Sequence, residues 1–150
     1  QHPFKINAKF LIDRNKEFIK EGEAYRYVGK CTSLGDHLKY KYLIDVDGMT
    51  STWPKSYYLL LSNSVYFKTS SDYVQWFHGA LKPYKHYVPI KNDLSDLIKQ
   101  IHCAICHDTV AQRIAEKGMH FANESLSEEA VYLYIYKLLQ AYASIQKRRP

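Results

Sequence analysis

The stretch YLIDVDGMTSTWPKSYYLLLSNSVYFK, Tyr42 to Lys68, sets a helix pattern between two strand patterns. From Leu38 to Val46 the residues alternate. Leu38, Tyr40, Tyr42, Ile44 and Val46 fall on one face and Lys39, Lys41, Leu43 and Asp45 on the other, the period of a strand. Asp47-Gly48 breaks the alternation. Ser51 or Thr52 can then cap a helix, Pro54 suits its first turn, and Tyr57, Tyr58, Leu60 and Leu61 give it apolar faces. Ser62-Asn63 ends that helix, and Ser64 to Lys68 reads as a second, short strand.

Outward from this core the rhythm continues. A helix is expected from Ser71-Asp72 through Val74, Trp76 and Phe77 to Gly79, and Leu81 to Ile90 returns as an extended segment punctuated by Pro83 and Pro89. Strand, helix, strand, helix, strand favours a parallel sheet covered by helices. The rest of the chain reads as three helices. Asn92 or Asp93 caps the first, with Leu94, Leu97, Ile98, Ile101 and Ile105 at helical spacing. Asp108 caps the second, which Gly118 ends or kinks. The capping box Ser125-Leu-Ser-Glu128 opens the third, with the apolar stripe Val131, Ile135, Leu138, Leu139, Tyr142 and Ile145. Residues 1–37 are poorly defined: INAKF suits a strand, and NKEFIKEGE a polar helix or loop.

A chain of 150 residues is long enough for one domain with its own core. With 46% hydrophobic and 24% charged residues it is neither a disordered chain nor a disulfide-stapled miniature. Cys31, Cys103 and Cys106 are too few and too odd for a secreted disulfide framework, which leans towards a reducing compartment. No apolar run is long enough to span a bilayer, and no charged-then-apolar leader opens the chain. The formal net charge of +6 would suit an anionic partner. Its lysines are scattered and no RNA-binding signature is present, so nucleic acid is not expected.

IHCAICHD, Ile101 to Asp108, contains the Cys-x-x-Cys-His spacing of c-type haem attachment and half of a zinc site. On a helix, both thiols fall away from the stripe of positions 94, 98, 101 and 105. The distal haem ligands on offer, Met119 and His120, lie too close in sequence to reach across a porphyrin. A closed zinc site wants four ligands, and one cysteine pair needs two from His78, His86, His102, His107 or His120. Small helix residues followed by a histidine at a helix end is the simpler reading, and neither haem nor metal is expected.

The turn after the first strand points to a different chemistry. An Asp-Gly break, small hydroxyl residues and a helix start can direct the backbone amides of Met49 to Thr52 at an anion, with Lys55 closing over it. By pattern alone this is also an ordinary β–α turn, since no Walker or Gly-x-Gly-x-x-Gly sequence is present.

The wording of the sequence is more specific than its pattern. KYKYLIDVDG (Lys39 to Gly48), STW (Ser51 to Trp53), LLSNSVYFK (Leu60 to Lys68), ALKPYKHYVPIKNDLSDL (Ala80 to Leu97), the His107 to Ala122 run and the tyrosine-rich last helix resemble glycosyltransferase family 90. The resemblance covers residues 38–146. It implies the C-terminal half of a GT-B enzyme: a Rossmann-like parallel sheet with flanking helices, an α/β fold with a helical C-terminal third. It further implies a UDP-sugar donor of glucose or xylose, no metal, and a polysaccharide, lipopolysaccharide or protein acceptor. By position, Gly48, Met49, Thr50, Ser51, Thr52 and Trp53 inherit contacts to the donor diphosphate. The family places an arginine after this turn; here Pro54-Lys55 stands there, keeping the charge without the bidentate fork. The family's aspartate general base would lie before Gln1, so no catalytic base is assigned and the chain alone is expected to bind nucleotide without transferring sugar. The competing expectation is a non-catalytic interaction domain that retains the fold. The branch resemblance leans towards lipopolysaccharide modification and the cytoplasm, with the endoplasmic reticulum lumen as the alternative and a peripheral membrane contact left open.

Overall fold

In the computed structural model, which describes residues 33–47 and 54–146, Tyr42–Asp45 forms strand β1. Val65–Thr69 forms β2 and Val88–Ile90 forms β3. All neighbouring pairs are parallel, in the order β1-β2-β3, with Tyr42 opposite Val65, Asp45 opposite Lys68, and Phe67 opposite Val88. The helices are α1 (Leu34–His37), α2 (Lys55–Leu61), α3 (Leu97–Cys106), α4 (Asp108–Ser125) and α5 (Glu128–Ile145). Contacts divide the chain into two units, Gln1–His37 and Leu38–Pro150. In the first, the described part is the turn α1, where the Ser33 hydroxyl donates to the Asp36 carboxylate and accepts from the Asp36 amide.

In the second unit a parallel sheet is expected to be covered on both faces, and two apolar clusters do this. On one face Leu43 and Tyr66 pack with Leu59 and Leu60 of α2, and Phe77, Leu81, Ala122 and Leu126 close the cluster. On the other, Val65, Phe67, Val88 and Ile90 pack against Ala104 of α3 and Ala111, Ile114 and Ala115 of α4. β2 lies between the clusters, and all five of its residues are buried. Each of its large apolar side chains contributes on the order of 1.5–3 kcal/mol by leaving water.

Double coverage corrects the expected in/out alternation of the first strand. It is shorter than Leu38 to Val46, Tyr40 and Val46 are exposed, and the face expected to be polar carries the buried pair Leu43 and Asp45. The helix expected from Ser71 to Gly79 is absent; one 3-10 turn, His78–Ala80, stands there. Side chains hold that segment's backbone instead, the Ser71 hydroxyl accepting from Tyr73 N–H and His78 Nδ1 from Gln75 N–H. Likewise α3 starts at Leu97, because Leu94 adopts φ 58° and Asp93 accepts from the Ser95 amide. Of the expected stripe, Leu94, Leu97 and Ile101 pack against the core beside the buried Ala104, while Ile98 is exposed. The cap of α5 is Ser127, whose hydroxyl accepts from Ala130 N–H; Ser125 is the last residue of α4. α2 is preceded by Pro54 with no side-chain cap, and Ser51 and Thr52 lie outside the described residues, as do INAKF, NKEFIKEGE, Cys31 and the Lys147-Arg148-Arg149 tail.

Gly118 neither ends nor kinks α4, which continues to Ser125. Its role is close approach: a Cβ there would lie 2.7 Å from the His86 carbonyl oxygen and 3.3 Å from Leu60 Cδ2. That contact seats the 82–87 segment on α4, and one turn along Phe121 stacks on the His86 ring at 4.9 Å. Burial, then Lys85, Lys82 and Lys117, hold the His86 imidazole below its ordinary pKa.

Alanine gains about 1 kcal/mol over glycine in a helix, but a Cβ against a backbone oxygen forces a shift of the kind that costs about 1–3 kcal/mol. Gly118→Ala is therefore expected to lower the urea midpoint, while Gly79→Ala, with nothing within 4 Å of its new methyl, leaves it within error. Because folding depresses the His86 pKa, the unfolded chain takes up its proton first as pH falls. The His86 contribution is complete above about pH 6.5 and is lost on acidification below it. His86→Phe, which keeps a stacked ring, should flatten the fall in urea midpoint between pH 7.5 and 5.5.

Candidate functional site

β1 and β2 end on a layer of polar side chains. Asp45, the last residue of β1, is buried, with 2% of its surface exposed, and stands opposite Lys68 of β2, also buried. A buried carboxylate is costly unless it is paired and hydrogen-bonded, and Asp45 is both. Its Oδ2 accepts from Ser56 Oγ at 2.7 Å and from the Tyr66 hydroxyl at 2.8 Å, and its Oδ1 lies 3.5 Å from Lys55 Nζ. The Tyr66 hydroxyl is also 3.1 Å from Ser56 Oγ. Burial, and next the Asp45 charge, push the Tyr66 phenol well above its usual range, so it stays a donor.

The sequence supplies this geometry economically. Lys55 and Ser56 open α2, so the chain that leaves β1 at Asp45 returns to the same carboxylate ten residues later. Tyr66 reaches it from β2, on the face it shares with Leu43. Lys55 also donates to the Ile44 carbonyl at 3.3 Å and keeps about a third of its side chain exposed. The expected anion-binding lysine thus stands at the carboxyl end of the sheet, where open α/β sheets bind ligands. The other residues expected there, Gly48, Met49, Thr50, Ser51, Thr52 and Trp53, lie outside the described residues.

Next to this layer, beyond the end of β2, lies a cavity of about 140 Å³ whose walls include Lys68, Ser70, Ser71, His78 and Tyr87. Sequence reasoning weighed His78 as a zinc ligand and gave Lys68 and Asp45 no role. Their one signal was position, charged residues at the ends of apolar strands. The Cys103, Cys106 and His107 motif is elsewhere. Both thiols are exposed on α3, with Cys103 Sγ 3.7 Å and Cys106 Sγ 3.6 Å from the Nδ1 atoms of His107 and His102 respectively. His107 is the residue between α3 and α4, and its Nδ1 lies 3.0 Å from the Cys103 carbonyl. Among the described residues no three His, Cys, Asp or Glu side chains converge as a metal site.

A family model described as Glycosyl transferase family 90 matches residues 2–150. Protein O-glucosyltransferase 2 of Danio rerio is 41% identical over 134 residues, which are 89% of this chain and 27% of that protein. Protein O-glucosyltransferase 3 of Homo sapiens is 39% identical over 89% of this chain and 26% of its own length. Protein O-glucosyltransferase 1 of Homo sapiens is 34% identical over 95% and 36%. The chain therefore spans between 26% and 36% of the length of these curated relatives.

Tyr66→Phe removes one donor from a buried carboxylate and should lower the unfolding free energy by about 1–3 kcal/mol. In an Asp45→Asn background, where the acceptor has lost its charge, the same substitution should cost less. A double-mutant cycle in urea at pH 7 measures the difference.

Proposed function

The chain belongs to glycosyltransferase family 90, and from that premise we propose that it is the donor-binding part of a glucosyltransferase that acts on protein, holding the UDP-sugar at the carboxyl end of its parallel sheet. The observation that carries the reading is the Asp45 to Lys55 pair, which joins the end of β1 to the start of α2. Lys55 is held there by the Ile44 carbonyl and the Asp45 carboxylate, yet is exposed enough to meet a ligand. An ammonium so placed offsets the charge that develops on a departing diphosphate. The names of the relatives support glucose as the sugar and protein as the acceptor over the xylose and lipopolysaccharide alternatives. Neither metal nor haem is part of this proposal. None of the residues discussed is assigned as the general base, and the transfer step requires the remainder of a longer enzyme.

Titration of the chain with UDP in a calorimeter is expected to give saturable binding. Lys55→Ala should raise Kd about tenfold or more, the worth of a charge-assisted hydrogen bond, and Lys55→Arg should recover most of the loss. No binding by the wild-type chain would overturn the reading in favour of a non-catalytic interaction domain.

A further inference from the structure

The motif Cys103-Ala104-Ile105-Cys106 has no part in the donor site. α3 holds both thiols exposed, while Ala104 between them is buried against the sheet. With a helix radius of about 2.3 Å and a rise of about 1.5 Å per residue, Cα atoms three residues apart are about 5 Å apart. That lies inside the roughly 4.4–6.8 Å over which a disulfide closes. The Cβ atoms of such a pair, roughly 5–6 Å apart, must approach to about 3.8 Å. Position makes this small movement available. Cys106 is the last residue of α3, and His107 has already left helical geometry at φ −117° and ψ 53°. The final turn can wind into the tighter i→i+3 form common at helix ends, giving up the 3.0 Å bond from the His107 amide to the Cys103 carbonyl.

The neighbouring imidazoles give the two thiols unequal roles. Cys106 Sγ lies 3.6 Å from His102 Nδ1 and 3.9 Å from its Nε2. In either neutral tautomer an unprotonated ring nitrogen is therefore within reach of the thiol proton. Cys103 Sγ lies 3.7 Å from His107 Nδ1, but that nitrogen is 3.0 Å from the Cys103 carbonyl, which only accepts, and so carries its own proton. Cys106 is thus the attacking sulfur and Cys103 the resolving one. Among the described residues no set of three His, Cys, Asp or Glu side chains forms a metal site, which leaves the pair the chemistry that needs only two sulfurs.

We propose that Cys103 and Cys106 form a redox-active dithiol, a modification site whose reactant is a small disulfide of the glutathione type. Cys106 passes its proton to His102, and the thiolate attacks one sulfur of the small disulfide, releasing one small thiol. Cys103 loses its proton to solvent and attacks Cys106 Sγ, releasing the second. Two electrons leave the protein thiols, which become one disulfide, and the small disulfide is reduced to two thiols that take up the two protons.

The test incubates the chain with glutathione at set ratios of reduced to oxidised form, then quenches in acid, alkylates and digests with trypsin. Cleavage after Lys99 and Arg113 gives a peptide, residues 100–113, that holds both cysteines and not Cys31. As the oxidised share rises this peptide should lose both alkylation sites together and carry an internal disulfide. Cys103→Ser should stop at a glutathione adduct on Cys106, formed at about the wild-type rate. Capture by Cys103 in Cys106→Ser, and by Cys106 in His102→Gln, should each be slower by about threefold or more at pH 7, because the attacking thiolate has lost its proton acceptor. In denaturing urea, where α3 is gone, the two single-cysteine variants should react alike. On oxidation of the native wild type, hydrogen exchange at the His107 amide should speed up while the β2 amides keep their rates. A wild-type peptide that stops at one glutathione, takes up two, or stays fully alkylated across the whole range overturns the dithiol. Equal capture by the two single-cysteine variants in the native chain overturns the roles given to Cys106 and His102.

Discussion

Everything at the carboxyl end of this sheet depends on satisfying one carboxylate that is held out of water. Asp45 ends the first strand with almost no exposed surface, and the surrounding chain is arranged to satisfy it. The first turn of α2 supplies a hydroxyl and an ammonium, and the central strand supplies a phenol. With the carboxylate's own strand, these groups span three consecutive elements, so the carboxylate fixes how the β1–α2–β2 unit closes. The apolar cluster formed by Leu43, Tyr66, Leu59 and Leu60 packs directly beneath it. Burial provides the driving force there, and the polar layer provides direction, because hydrogen bonds to a buried charge tolerate little displacement.

The elements of this unit were legible in the sequence because each is short, strongly patterned and bounded by turn residues. Ser64 to Lys68 reads as a strand, and the structure places β2 one residue further on. What misled was the assumption that alternation implies one wet face. In a sheet covered on both sides, the residues that alternate with Tyr42 and Ile44 are the more deeply buried ones, and Asp45 looks like a solvent residue until its partners are placed. Val74, Trp76 and Phe77 imitated a helix for a related reason. Apolar spacing is present, but Ser71 and His78 offer the backbone other partners, and two of those three apolar residues remain exposed.

The candidate site was less legible than the fold. Lys55 could be singled out because it follows a recognisable turn. Lys68 and His78 could not, because their relation is made by packing two segments of the chain side by side, and no local pattern records it. The conspicuous motif at Cys103 to His107 shows the converse. Its spacing means haem or zinc only if other ligands converge on it, whereas the structure gives it the surface of α3 and the junction with α4.

The last helix has a consequence of its own. α5 is eighteen residues long, carries an apolar stripe as the sequence indicated, and buries none of its side chains; the ring contact of Tyr134 with Trp76, 4.5 Å between centroids, is one point where it touches the unit. Helices of this length are marginal without packing, and local opening free energies follow packing. In hydrogen–deuterium exchange α5 should therefore be much less protected than α4, separating in rate from the amides of β2 by several orders of magnitude and marking where the cooperative unit ends.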